Sequence, residues 1–143
     1  MASISLSSID AATAQAAIAA AAEHARSKGL QMSIAVCDHA GLLKSFLRMD
    51  GASQISLGIA QDKAYTSAAT GLATHRWHDF IKDDAPLLHG FVHTPRLVVF
   101  GGGFPIFEDG AVIGAIGLSG GHYSQDMECA RAALEAIGFT PND

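Results

Sequence analysis

The sequence predicts one α+β domain over residues 1–143, a five-stranded antiparallel sheet with helices packed on it. Three observations lead there. Residues 31–38 alternate, with Met32, Ile34 and Val36 on one side and Gln31, Ser33, Ala35 and Cys37 on the other, which is the period of a strand. Residues 96–121 read as three strands, broken first by Gly101, Gly102 and Gly103 and then by the Asp109-Gly110 turn. An alanine-rich run precedes both regions and ends at Gly29, a natural left-handed helix stop. Strands joined by such short turns pair antiparallel, and the helices between them settle on the sheet faces.

Taken in order, Ser7 or Ser8 is expected to cap the first helix, with Asp10 in its first turn where an acid favours the helix dipole. Its face is mostly alanine with Ile9 and Ile18, so it can lie close to a sheet. The strand at 31–38 turns through Asp38-His39-Ala40-Gly41, with Asp38 as turn-former, into a hairpin partner at 42–49. Ser53 is placed to cap a second helix carrying Ile55, Ile59 and Ala60, ending near Gly71. Thr74 then caps a short helix over 75–83, with Trp77, Phe80 and Ile81 at i, i+3 and i+4. Residues 84–95, with two prolines and Gly90, read as an ordered loop. Residues 96–100 open the three-strand meander, and Ser124 caps a last helix with Met127, Leu134 and Ile137, stopped by Gly138 and Pro141. The expected order is α-β-β-α-α-β-β-β-α.

Composition narrows the function. Apolar residues make up 49% and charged residues 16%, as in a packed globular chain. A net charge of −5 with only nine scattered Lys and Arg offers no basic stripe for nucleic acid or an anionic membrane. The low charge and positive mean hydropathy lead us to expect apolar surface covered by a second copy, hence a homo-oligomer. Cys37 and Cys129 form no CxxC or zinc spacing and read as small hydrophobes. The N-terminal segment lacks a basic n-region, and the alanine run is interrupted by Asp10, Gln15, Glu23 and His24. Neither a signal peptide nor a membrane span is expected, and a cytoplasmic location is.

Chemistry concentrates in the second half. Glycines inside apolar strands are destabilising unless a ligand or another backbone must come close, so Gly101, Gly102 and Gly103, followed by Phe104, mark a floor or rim for something flat or bulky. Pro105 follows too soon for a helix N-terminus, which excludes a phosphate loop. Five of seven histidines, His75, His78, His89, His93 and His122, flank this hairpin. Histidine ligates haem iron and divalent transition metals, and His75 and His78 at i, i+3 share one helical face as a metal pair would. Each also reads as a surface or hydrogen-bonded residue. Trp77, Phe80, Phe91, Phe100 and Phe104 are walls for a cofactor or plain core. Lys63 and Thr66, one turn apart, can meet a ligand carboxylate; otherwise Lys63 pairs with a surface acid. Arg48 and Asp50 read as a structural ion pair closing a turn.

Several of these motifs occur together: Ile34-Ala35-Val36-Cys37-Asp38 with Gly41, Arg48-Met49-Asp50, Asp62-Lys63-Ala64 with Thr66, Gly101-Gly102-Gly103-Phe104-Pro105-Ile106, and residues 112–121 with Gln125-Asp126. In this order they make the chain resemble the GlcG/HbpS-type haem-binding family, especially the C-terminal domain of PduO-type cobalamin adenosyltransferases. The resemblance implies a profilin- or PAS-like fold, assembly into dimers or larger rings, and a haem-associated role beside catabolic operons. Thr74-His75 matches a Thr-His pair of the PduO-type domains, which makes His75 the first choice of axial ligand, with His24 a weaker candidate; Arg76-Trp77-His78 departs from the pattern. The leading expectation is a haem-binding, non-enzymatic oligomer using His75, Lys63, Thr66 and the glycine hairpin. The alternative is a small catabolic enzyme in which His75, His78 and His122 hold a divalent metal or act as acid and base on a small carboxylate or aldehyde.

Overall fold

A computed structural model describes residues 2–143. Helix α1 (Ala11–Ser27) leads into β1 (Ser33–Asp38) and β2 (Leu43–Arg48). Helix α2 (Ser56–Thr70) follows, then a 3-10 turn (Thr74–Arg76) and two short helices, α3 (Trp77–Ile81) and α4 (Ala85–Phe91). Strands β3 (Gly103–Glu108) and β4 (Ala111–Ser119) and helix α5 (Tyr123–Ala136) complete the chain. The sheet has four antiparallel strands, not five, in the order β2-β1-β4-β3.

The missing strand is residues 96–100. Arg96 sits at φ 67°, outside any strand conformation, and the backbone there bonds a side chain rather than a neighbouring strand. Thr66 Oγ1 accepts from Val98 N (3.0 Å) and lies 2.9 Å from Arg96 O, so helix α2 takes up the groups a ladder would have used. The expected loop at 84–95 contains α4 instead. Asp84 caps it by accepting from Leu87 N, and Pro86 occupies the first turn, where a missing N–H does no harm. No residue of α4 is buried.

The other helix starts are corrected in the same way. Asp10, not Ser7 or Ser8, caps α1 by accepting from Thr13 N at 2.7 Å, while Ser8 Oγ accepts from His39 N across the domain. Helix α2 starts without a side-chain cap: Ser53 contributes its carbonyl, which accepts from Ser56 N. Thr74 does not cap its turn because its hydroxyl accepts from Gly103 N at 2.9 Å. His122 caps α5 in place of Ser124. Its Nδ1 accepts from Ser124 N while Gln125 Oε1 accepts from His122 N, a reciprocal capping box. Asp38 does form its turn, accepting from Ala40 N and Leu42 N.

Alternation along the strands sends side chains to two cores. Ile34, Val36, Phe104, Ile106, Ile116 and Leu118 face α1 and α5. Ala35, Cys37 and Ala115 meet Ala60, Ala64 and Ala68 of α2. That second layer is thin because α2 lies almost on the sheet. A Cβ on Gly117 would collide with Ala60 O and sit 3.1 Å from Ala64 Cβ, so glycine is required there. Burial pushes the Cys37 thiol to about 12 and the Cys129 thiol to about 11, which leaves both as inert core residues.

Candidate functional site

The close seating of α2 decides what the triple glycine does. Gly101, Gly102 and Gly103 are buried, and the backbone that glycine bares is covered by the protein itself. At Gly102 (φ 126°) a Cβ would lie 2.6 Å from Lys63 Nζ and 2.7 Å from Leu118 O. At Gly103 it would meet Thr74 and Ser67 at 2.7 and 2.9 Å. These two glycines therefore let α2 and the 3-10 turn approach β3. Only Gly101 borders an open cleft.

Lys63 sits behind this backbone, wholly buried. Its ammonium donates to Asp126 Oδ2 and to Leu118 O, both at 2.8 Å, and lies 5.1 Å from the centre of the Phe100 ring. Asp126 Oδ1 also accepts from Gly121 N. Burial lowers the lysine's pKa and raises that of the aspartate, while their mutual attraction opposes both shifts. The acid that Lys63 neutralises is thus an internal one, 63 residues away in sequence. Thr66 likewise spends its hydroxyl on Asp62, Arg96 and Val98 of its own chain.

Two clefts of about 360 Å³ each open on this side of the molecule, sharing Phe100 and Tyr123. One is lined by His75, His78, Asp79, Val99 and Gly101. The other runs over Lys63 and Asp126 toward Ser119 and His122. His75 is half-buried, with its ring 5.5 Å from that of Phe104. Its Nδ1 is buried without a partner, and its Nε2 lies 3.7 Å from Asp143 Oδ1, beyond hydrogen-bond range. Burial holds its pKa below the ordinary value, helped by Arg131 and Arg76 and opposed by Asp143.

The structure brings His75 and His78 to one cleft and puts His122 in the next. Among the described residues no group of three or more His, Cys, Asp or Glu is arranged to hold a metal ion, so the divalent-metal set is not assembled. His89 and His93 are exposed on and beyond α4, and His24 pairs with Glu128 at 3.1 Å. Arg48 and Asp50 form no ion pair; both line a separate cleft with Arg26 and Leu47. Trp77 packs between Phe80 and Phe91 on the outer helices, at 5.5 and 4.7 Å. Three contributors escape a reading by sequence pattern: Tyr123 at the junction of the clefts, and Arg131 and Asp143 beside His75. Only Asp126 had a signal, lying inside a motif quoted above.

The HbpS-like family model, described as haem degrading protein HbpS-like, matches residues 9–135. The corrinoid adenosyltransferase PduO of Salmonella typhimurium is 35% identical over 119 residues, 82% of this chain but only 35% of PduO, so the chain spans about a third of that relative. Protein GlcG of Escherichia coli K12 is 38% identical over 106 residues, 74% of this chain and 77% of GlcG. Among solved structures, the PduOC:heme complex superposes with TM-score 0.88 at 31% identity, covering 95% of this chain and 99% of that one. HbpS does so with TM-score 0.88 at 28% identity, covering 96% and 95%. A match running from Ile9 through most of α5, over the same strands and glycines that build the clefts, makes this chain a member of the HbpS-like family.

Proposed function

We propose that the protein binds haem in the His75 cleft, with His75 as axial ligand and Val99, Phe100, Gly101 and Tyr123 as walls. The observation that carries this is an imidazole with neither nitrogen hydrogen-bonded, half-buried beside aromatic rings and kept toward its neutral, ligating form by burial. A solved relative, PduOC, was crystallised as a complex with haem. When bound, haem would supply a Lewis-acidic iron and a flat apolar macrocycle. Phe100 and Tyr123 offer that macrocycle faces, and His75 offers the nitrogen. Lys63 and Thr66 serve the site indirectly: Lys63 fixes the Gly102 turn from behind, and Thr66 holds the strand-like segment that ends in Phe100.

At about 360 Å³ the open cleft lies near the lower end of the roughly 300–1,000 Å³ spanned by sites that bury most of a drug-sized ligand, and haem is large for it. The reading therefore includes a homo-oligomer in which a second copy covers the exposed side. A role as haem-binding accessory to a cytoplasmic catabolic pathway completes it. Titration of the apoprotein with hemin is expected to give a Soret band that His75→Ala shifts and weakens, with unchanged circular dichroism. An identical spectrum in His75→Ala would remove His75 from the site.

A further inference from the structure

Beside the His75 ring the chain already holds a carboxylate. Asp143 Oδ1 accepts from Arg131 Nε at 2.9 Å and Nη2 at 2.7 Å, and the same oxygen is the one 3.7 Å from His75 Nε2. The guanidinium lies 5.3 Å from the centre of the Phe104 ring, which in turn packs on His75. We propose that Arg131, backed by Phe104 and flanked by His75, is a carboxylate-binding subsite, filled by the chain's own Asp143 until a ligand carboxylate displaces it. The proposal rests on the haem reading only for which ligand brings the carboxylate.

The chemistry fits on three counts. A guanidinium fork matches a carboxylate in two parallel bonds, whereas Asp143 engages it through one oxygen only, so an incoming carboxylate can be held better than the resident one. Phe104 is fully buried and fixes the plane on which Arg131 rests. The resident group is also easily removed. After Phe139, whose N–H bonds Leu134 O, residues 140–143 make no backbone hydrogen bond, and Asp143 is about half exposed. Exposed ion pairs of this kind contribute little, so displacement is inexpensive. Departure of Asp143 would clear Nε2, the more open of the two histidine nitrogens. Ligand capture by Arg131 and unveiling of His75 are then one event.

A propionate on haem and a free small carboxylate share this chemistry, and two arms separate them. In the first, full-length wild type, Asp143→Asn and Arg131→Gln are titrated with hemin and with hemin dimethyl ester, whose propionates are masked. Asp143→Asn is expected to tighten hemin by about two- to five-fold, and Arg131→Gln to weaken it by about the same factor while leaving the ester unchanged. In the second, acetate is added to apo wild type and apo Asp143→Asn and the Arg131 Nε–H resonance is followed by NMR. It is expected to shift at lower acetate in Asp143→Asn than in wild type. A response confined to acetate assigns the subsite to free carboxylates, and a hemin-over-ester preference assigns it to propionates. Equal hemin and ester binding by all three proteins, together with the same acetate response in wild type and Asp143→Asn, overturns the proposal. Failure of hemin to bind any of them would count against the haem reading alone, because the acetate arm needs no haem.

Discussion

A buried ammonium persists only where protein groups replace its water. Lys63 has two such partners, the Asp126 carboxylate and the Leu118 carbonyl, together with the face of Phe100. The pair joins α2 to β4 and to α5, and it stands against the backbone that Gly102 bares. Removing one member strands the other's charge in the core. Lys63→Met is therefore expected to destabilise the fold by about 3–5 kcal/mol, and Asp126→Asn in the same direction, whereas Lys63→Met with Asp126→Leu recovers most of the loss. Urea unfolding of the four proteins checks this. A loss below about 1 kcal/mol in Lys63→Met would mean the pair does not hold these elements together. The family motif points to Lys63, but its partner lies on another helix, and no spacing rule links residues so far apart in sequence. That is why the residue reads equally well as a ligand cation or a surface ion pair until the fold is known.

Elements with strong periodicity could be read from the chain, and those decided by tertiary bonds could not. β1, β2, the β3–β4 hairpin, α2 and the ends at Gly29, Gly71 and Gly138 follow from alternation and left-handed glycines. Residues 96–100 look like a strand by composition, yet Thr66 diverts their backbone groups to a helix side chain. Thr66→Val keeps the shape of the side chain and strips those bonds. It should leave Val98 N unpaired, destabilise by about 1–3 kcal/mol, and raise amide exchange across 96–100 more than elsewhere. Because Phe100 ends that segment, hemin affinity should fall in parallel; retained protection there would refute the positioning role. Helix α1 offers a test of its cap. The Thr13 N–H beside Asp10 holds that carboxyl below its ordinary value. A depressed folded pKa contributes stability that is present above the unfolded value of about 3.9 and is lost as pH falls through the folded one. Asp10→Asn still caps, so it should nearly match wild type at pH 7 and show a flatter loss of stability below pH 4, read from thermal melts across that range.

At the scale of the molecule, part of the exposed apolar surface lies at the clefts, while Ile4, Leu6, Leu42, Leu43, Leu87 and Val92 line neither of them. Phe100 and Tyr123, which wall both, are 42% and 48% exposed, and Ile55 at the margin of one is 72% exposed. Phe80, beside the His75 turn, is 68% exposed. Scattered exposed side chains need no explanation, but Phe100, Tyr123 and Ile55 line two open clefts and Phe80 lines an adjoining pocket with His75, which together make a surface that water covers poorly. A second copy seated there would bury it and enclose the proposed haem site that one protomer leaves open. Ile55 is the sharpest probe, because its side chain is largely exposed within its own chain and so tolerates change without disturbing the core. Ile55→Glu should therefore leave the melting temperature of the dissociated chain unaltered, shift sedimentation toward the monomer, and weaken hemin binding together with assembly. If the variant sediments as wild type does, the cleft face is not where copies meet. Haem would then have to be held by one protomer, half open to solvent, and hemin affinity would be independent of protein concentration.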